Sequence, residues 1–225
     1  MQPATVKGNS ACPPSGAAAR IAKQPQISQK EIAVLPLVLA SSSPYRRELL
    51  TRLRLPFIWS APEIDESRQP DESAETLVRR LSQEKAQALS TTHPEHLIIG
   101  SDQVAVLGAQ ILGKPHTLER AREQLLAASG SSVTFLTGLT LLNSATGLRQ
   151  TDCIPFTVHF RSLTEAQIMR YLTAEQPFDC AGSFKAEGLG ISLFRSTEGS
   201  DSNSLIGLPL IRLVDMLQAS GVDIP

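Results

Sequence analysis

The chain has 225 residues, of which 41% are hydrophobic and 19% charged, and its formal net charge is −1. This length suffices for one domain with a sizeable core. The near-neutral charge argues against a general nucleic-acid binder, which usually presents a basic face. Because the longest apolar runs fall far short of the about 20 residues that a membrane span needs, we expect no membrane-spanning segment.

The three cysteines give an indication of the compartment. Cys12, Cys153 and Cys180 are odd in number and widely spaced, and no two of them form a C-x-x-C pair. This pattern argues against a disulfide framework and against structural zinc. The sequence therefore favours a protein of a reducing compartment.

The N-terminal residues differ in composition from the rest of the chain. Residues 1–36 carry five prolines and a net charge of +3, whereas the remaining residues carry −4. They contain no hydrophobic stretch long enough for a signal peptide, and their scattered prolines and single arginine argue against a transit peptide. We therefore expect residues 1–35 to form a disordered N-terminal extension and residues 36–225 to form one folded domain.

The first predicted motif is a buried strand, Leu37–Ala40, that leads directly into a helix. The serine run Ser41–Ser43 ends in a good N-cap, and Pro44 suits the first helical position. Hydroxyls and free backbone N–H groups at a helix N-terminus favour an anion. Arg46 and Arg47 in the same turn indicate a polyanion lying between them. An ordinary capped helix with two solvated arginines is the alternative interpretation.

The rest of the folded region alternates predicted helices and strands. We predict strands at 57–59, 97–100, 133–142 and 148–160, a hairpin of 104–107 with 110–112, and helices at 73–90, from Thr117 to Gly130, from Thr164 and from near Pro209. This interleaving favours an α/β fold with a mixed sheet. At about 100° per residue, Lys85 falls inside the apolar arc of its helix. It is either a snorkelling lysine at the core margin or a lysine directed into a site.

Carboxylates and cations that can form one site are spread over these elements. Asp102 follows a predicted strand, where open α/β sheets place ligands, although a plain turn residue is the alternative. Glu66 lies in an acidic loop that could face Asp102, and Lys85 and Lys114 have no partner close in sequence. Carboxylates for a divalent cation, with Ser, Arg and Lys for phosphate oxygens, are the groups needed for attack on a phosphoanhydride. A P-loop enzyme is excluded, because the chain lacks the G-x-x-x-x-G-K-S/T motif.

Seven ordered motifs resemble those of the Maf nucleoside triphosphate pyrophosphatases. They are residues 39–50 (LASSSPYRRELL), 65–66 (DE), 83–86 (QEKA), 99–103 (IGSDQ), 113–115 (GKP), 180–183 (CAGS) and 207–210 (GLPL). The resemblance covers about residues 36–221. It implies the mixed α/β fold shared with inosine triphosphate pyrophosphatases, with a central active-site cleft. It also implies a cytoplasmic homodimer that uses a divalent metal cation, Mg²⁺ or Mn²⁺, and splits a small-molecule nucleoside triphosphate into monophosphate and diphosphate.

The resemblance implies roles for individual residues around the phosphates. Asp102 matches the proton acceptor that activates water, and it pairs with Glu66 as the expected metal-binding carboxylates. The remaining positions that handle phosphate or metal in this family fall on Ser41, Arg46, Lys85 and Lys114. We take the two lysines as catalytic and the serine and arginine as phosphate-binding.

Three further positions set base preference in this family and fall on Tyr45, Gln103 and Glu187. Pyrimidine-preferring relatives typically carry Arg, Thr and Gln there. The branch that acts on 7-methylguanosine triphosphate typically carries an aromatic residue, Gln and Glu. Tyr45 departs from the tryptophan usual in that branch.

Two other functions compete with this interpretation. A pyrophosphatase for dTTP and UTP is disfavoured by Gln103 and Glu187. A nucleotide-binding regulator of cell division or septum formation is an association that the family carries, and it would need no catalytic base. The presence of Asp102, Glu66, Lys85 and Lys114 together favours catalysis over binding alone.

The composition of the N-terminal residues predicts that they are dispensable. Deleting residues 1–34 should leave the melting temperature within about 2 °C and turnover unchanged, because these residues offer little apolar surface to bury. Thermal unfolding and activity of the truncated chain, measured beside the full chain, test this. A large loss of either would show that the segment contributes to the folded domain.

Overall fold

A computed structural model describes residues 35–225 of the chain. The strands are β1 (Leu37–Ala40), β2 (Phe57–Ser60), β3 (Leu97–Leu107), β4 (Gln110–Leu112), β5 (Ser132–Asn143), β6 (Arg149–Phe160) and β7 (Phe194–Gly199). The helices are α1 (Pro44–Thr51), α2 (Ala74–Ala88), α3 (Leu118–Ala128), α4 (Glu165–Glu175), α5 (Asn203–Ile206) and α6 (Leu210–Ala219), with 3₁₀ turns at Ala181–Ser183 and Leu189–Leu193. None of the helices in this range is long and apolar enough to cross a membrane. The predicted extension, residues 1–35, lies outside the described residues except for its last one.

The seven strands form one mixed sheet. Its order is β2-β1-β3-β5-β6-β7, with β4 paired to β3. β1 is parallel to both β2 and β3, whereas β3, β5, β6 and β7 pair antiparallel. This confirms the predicted α/β fold with a mixed sheet. The sequence did not reveal β7, whose residues are mostly exposed, or the four-residue helix α5.

The strand β3 is longer than the sequence predicted. We expected a strand that ends at Gly100 and a separate hairpin strand that begins at Val104. β3 instead continues without a break because β5 pairs with every one of its residues, from Leu97 to Leu107. Asp102 therefore lies in the middle of a strand, and the prediction that it follows a strand end is wrong.

The opposite side of β3 explains why Asp102 is nevertheless accessible. β1 pairs with β3 only as far as Gly100, and β4 begins to pair at Ala105. Residues 101–104 consequently have no strand partner on that side. The loop that leaves β1 passes this gap, and it is here that the sheet opens.

Two glycines bring α2 unusually close to the sheet. A Cβ atom at Gly100 of β3 would lie 2.1 Å from the carbonyl oxygen of Ser82, and one at Gly138 of β5 would lie 2.1 Å from that of Val78. Both contacts are with the backbone of α2, so neither position accepts a side chain without movement of the helix. The face of α2 that carries Lys85 is thereby held against β3.

The other helices complete the core. α1 and α6 bury leucines such as Leu49 and Leu213 against the sheet face opposite α2. α3 and α4 pack around the far half of β5 and β6. Within that second cluster Phe184 contacts three other phenylalanine rings edge-to-face, at centroid distances of 4.8–5.5 Å. These contacts fix the segment that follows α4.

The close approach of α2 predicts a loss of stability in the variant Gly138→Ala. The added methyl group would collide with the backbone of Val78, and overpacking of this kind costs about 1–3 kcal/mol of unfolding free energy. Gly113→Ala is the matched control, because a Cβ there meets no atom within 4 Å. Urea denaturation of both variants measures the difference. Equal midpoints would contradict the direct packing of α2 on β5.

Candidate active site

A cleft of about 490 Å³ opens at the gap beside β3. Its walls come from the loop after β1, the start of α1, the loop before α2, residues 113–116 and the segment around Cys180. The cleft brings together nine of the residues that the sequence predicted for a site, namely Ser41, Tyr45, Arg46, Glu66, Lys85, Asp102, Gln103, Lys114 and Glu187.

The ammonium group of Lys85 joins two carboxylates in this cleft. Its Nζ atom lies 2.7 Å from Oδ1 of Asp102 and 2.9 Å from Oε1 of Glu66. The side chains of Lys85 and Asp102 are only 7% and 10% exposed, whereas Glu66 is largely accessible. Of the two interpretations of Lys85 that the sequence left open, a lysine directed into a site is therefore the correct one. The atom Oδ2 of Asp102 has no hydrogen-bond partner among the described residues.

Arg46 supplies a second cation beside this pair. Its Nε donates to the carbonyl oxygen of Gly207 at 2.8 Å. Burial lowers the pKa of the guanidinium from its ordinary value, while the negative charges of Asp102 and Glu66 act in the opposite direction. An arginine stays charged under these conditions, so Arg46 lies as a second cation, with Lys85, beside the two carboxylates.

The start of α1 forms one wall as the sequence predicted. Ser43 caps the helix, and its Oγ accepts from the backbone N–H of Arg46. The Oγ of Ser41 accepts from the backbone N–H of Ser43 at 3.1 Å, which leaves its hydroxyl proton available to a ligand. The first turn contains no acidic residue, so the positive end of the helix dipole is not neutralised from within.

Arg47 lies elsewhere. The sequence predicted that it would flank a polyanion together with Arg46, but its guanidinium carbon lies 4.1 Å from the centroid of the Trp59 ring. Trp59 belongs to the edge strand β2 and is half exposed, so it offers an accessible aromatic face for a cation–π contact. The prediction is therefore wrong for Arg47.

Hydrogen bonds outside the cleft hold the loop that carries Glu66. Arg80 of α2 donates to the buried carboxylate of Glu72 at 2.7 and 2.9 Å and to the carbonyl oxygen of Ser67 at 3.0 Å. The hydrogen bond from Arg80 lowers the pKa of Glu72 to about 2. Asp65, the other acid of this loop, accepts from the backbone of Ser67 and does not line the cleft.

Lys114 lies at the exposed rim of the cleft and forms no ion pair within the described part of the chain. His116, two residues further along the chain, also lines the rim. It has a left-handed backbone with φ of 61°, and its backbone N–H donates to the carbonyl oxygen of Phe178 at 3.0 Å. No pattern in the sequence indicated His116, which is a single histidine in a loop.

A second group of side chains surrounds the ring of Tyr45. Burial raises the pKa of its hydroxyl, and the neighbouring Cys180 and the negative charges of Asp179 and Glu187 raise it further. Burial and the neighbouring Asp179 also raise the pKa of the Cys180 thiol to about 12, so this thiol stays neutral. Two carboxylates near one aromatic side chain favour a positively charged ligand group. The sequence missed Asp179, although it directly precedes the CAGS motif.

Gln103 is held in one orientation by the far side of the cleft. Its Nε2 donates to the carbonyl oxygens of Ser204 and Leu205, at 2.6 and 3.2 Å, and to the hydroxyl of Thr137 at 3.0 Å. Because carbonyl oxygens only accept, the amide nitrogen must face them. The Oε1 atom is consequently left as an acceptor. The two carbonyl partners of the nitrogen are 101 and 102 residues away in sequence.

Comparison with known proteins extends these observations. The family described as "Maf-like protein" matches residues 36–220. The 7-methyl-GTP pyrophosphatase of Pseudomonas fluorescens (strain Pf0-1) is 73% identical over 192 residues, which are 85% of this chain and 100% of the relative. The enzyme of the same name from Pseudomonas savastanoi pv. phaseolicola is 74% identical over 84% of this chain and 98% of the relative, and that from Alcanivorax borkumensis is 61% identical over 84% and 96%.

A solved nucleoside-triphosphatase / dITP/XTP pyrophosphatase from Mycobacterium abscessus is more distant. It is 12% identical, with a TM-score of 0.41 over 83% of this chain and 97% of that one, and such a likeness has no bearing on function. The family match, in contrast, spans nearly all of the described residues. With its ordered motifs gathered around one cleft, the chain belongs to the Maf family.

Proposed function

We propose that this protein is a nucleoside triphosphate pyrophosphatase that hydrolyses 7-methyl-GTP to 7-methyl-GMP and diphosphate. The observation that supports this most directly is one cleft that contains both the carboxylate pair on Lys85 and the acidic surroundings of Tyr45. Relatives more than 70% identical are named 7-methyl-GTP pyrophosphatases. Such a reaction would keep the modified nucleotide out of nucleic acids.

The cations of the cleft suit a triphosphate. Arg46, Lys85 and Lys114 neutralise phosphate charge from three elements, and the hydroxyl of Ser41 and the positive end of α1 add hydrogen-bond donors. Electrostatic stabilisation of charge that develops on phosphate oxygens is the main part of catalysis in such reactions. These residues therefore hold the polyphosphate and compensate its charge.

Asp102 is the proposed general base. Lys85 holds its Oδ1, while Oδ2 is left to accept a proton from water. The oxygen of that water attacks the α-phosphorus, the bond from this phosphorus to the bridging oxygen breaks, and diphosphate leaves. A positioned base typically contributes about 10²–10⁴-fold to the rate.

The residues present fit a divalent cation that binds together with the substrate. Glu66 and Asp102 provide carboxylate oxygens on either side of Lys85, and within residues 35–225 no cluster of three or more His, Cys, Asp and Glu side chains forms a site of its own. Mg²⁺ is commonly held by one or two carboxylates plus substrate phosphates. When bound there, such an ion, Mg²⁺ or Mn²⁺, would supply additional neutralisation of the phosphate charge.

The second group of side chains suits a 7-methylguanine base. Methylation at N7 gives the base a delocalised positive charge, which can stack on the ring of Tyr45 in a cation–π contact worth roughly 0.5–2 kcal/mol. Glu187 can accept from the N–H edge of the base with charge assistance. The Oε1 atom of Gln103 can accept from a neighbouring donor.

We further propose that the enzyme acts in the cytoplasm as a homodimer, without nucleic acid or membrane partners. The two cysteines of the described residues, Cys153 and Cys180, are free thiols, which is compatible with a reducing compartment. Light scattering of the purified protein measures the oligomeric state directly. A monomeric mass would refute the dimer and leave the catalytic proposal intact.

A panel of substrates tests the proposed function. With Mg²⁺ or Mn²⁺, diphosphate release from 7-methyl-GTP should exceed that from GTP, UTP and dTTP by about tenfold or more in kcat/KM, and Glu187→Gln should reduce this preference. Better hydrolysis of UTP or dTTP would support the pyrimidine enzyme instead. Tight nucleotide binding without any diphosphate release would support the regulator.

The role of Asp102 gives a second prediction. Asp102→Asn keeps the shape of the side chain but cannot accept the proton, so turnover of 7-methyl-GTP should fall about 10²–10⁴-fold while the protein stays folded, because Lys85 keeps its ion pair with Glu66. Asp152→Asn is the matched control, because this aspartate of β6 is paired with Arg79 and Arg212 outside the cleft. Turnover of Asp102→Asn within a few-fold of the unmodified enzyme would remove Asp102 from the mechanism.

A further inference from the structure

We propose that Glu175, the last residue of α4, is a positioning residue that sets base preference by holding the loop of Glu187. The inference rests on the proposed function, since it assigns a cause to the preference for 7-methylguanine. Glu175 does not line the cleft, so any effect on the substrate has to pass through other residues.

Glu175 contacts residues that precede and follow Glu187 in the sequence. Its Oε2 accepts from the backbone N–H of Leu189 at 2.8 Å. On the other side, the Nζ of Lys185 lies 3.8 Å from Oε1 of Glu175 and donates to its carbonyl oxygen at 3.3 Å. Lys185 and Leu189 each stand two residues from Glu187, so Glu175 contacts both flanks of the loop, with a side-chain hydrogen bond at Leu189 and a longer ion pair at Lys185.

Tyr171 gives the same loop a second attachment. It lies one helical turn before Glu175, on the same face of α4, and its buried hydroxyl accepts from the backbone N–H of Lys185 at 3.0 Å. The contact is close, since a Cβ atom at Gly188 would lie 2.8 Å from Oε2 of Glu175. The helix therefore abuts the loop directly.

Glu187 has no such attachment of its own. Its side chain is exposed and forms no hydrogen bond or ion pair within the described part of the chain. The position of its carboxylate therefore depends on the backbone of residues 185–189. Because hydrogen bonds to a charged acceptor depend strongly on distance and direction, a loosened loop should weaken recognition of the base while Lys85 and Asp102, on α2 and β3, keep their contact.

Substrate preference provides a readout that a merely structural role would not change. The variants are Glu175→Ala, Glu175→Gln and Tyr171→Phe, and the quantity is the ratio of kcat/KM for 7-methyl-GTP to that for GTP, with melting temperature recorded. We expect Glu175→Ala and Tyr171→Phe to lower this ratio about three- to tenfold, mainly through KM for 7-methyl-GTP. Glu175→Gln should lower it less, because the amide oxygen can still accept from Leu189.

Two controls distinguish a positioning role of Glu175 from a general effect of altering α4. Glu165→Ala removes a carboxylate from the other end of α4, where it pairs with Arg122 of α3, and should leave the ratio unchanged. In the Glu187→Gln background, Glu175→Ala should cause no further change in the ratio, because the group that it positions is gone.

The results distinguish a failure of the inference about Glu175 from a failure of the proposed function. If the unmodified enzyme prefers 7-methyl-GTP but the ratio stays within twofold in Glu175→Ala and Tyr171→Phe, the inference is wrong and the proposed function stands. Equal losses for both substrates would show a structural role only and would also overturn it. If the unmodified enzyme shows no preference for 7-methyl-GTP, the proposed function and the inference fall together.

Discussion

The candidate site depends on the ion pairs that the ammonium group of Lys85 forms with two carboxylates. A buried lysine is strongly destabilising unless it is paired, and here it is paired with Asp102 and Glu66 at once. The pairing needs α2 to lie close to β3, which the glycines at positions 100 and 138 allow. The packing of a helix on a sheet therefore determines where the two carboxylates lie in the cleft.

The gap beside β3 determines the rest of the arrangement. Because β1 ends at Gly100 and β4 begins at Ala105, the alternating side chains of Asp102 and Gln103 both reach one cleft from opposite faces of the strand. Asp102 faces α2, and Gln103 faces the α5 segment. The same strand therefore carries the proposed base and one of the residues proposed to contact the nucleobase.

Local patterns in the sequence predicted much of this site. The cap of α1 follows from Ser43 and Pro44, and the inward direction of Lys85 follows from its place in the apolar arc of α2. The continuity of β3 was not predictable, because polar residues such as Ser101 resemble a turn until their partner is known. Ser101 pairs with Leu139 of β5, and its hydroxyl lies 2.9 Å from the carbonyl oxygens of both Gly138 and Gly207, the second of which is 106 residues away. The stacking of Arg47 on Trp59 depends on tertiary contact in the same way.

The central claim is that one cleft holds the phosphates at Lys85 and the base at Tyr45. A crystal structure of Asp102→Asn with 7-methyl-GTP and Mg²⁺ tests it most directly. We expect the triphosphate to lie beside Lys85, Arg46 and the start of α1. The purine ring should stack on Tyr45, with its N–H edge toward Glu187. A nucleotide bound in the reverse direction, or outside this cleft, would contradict it.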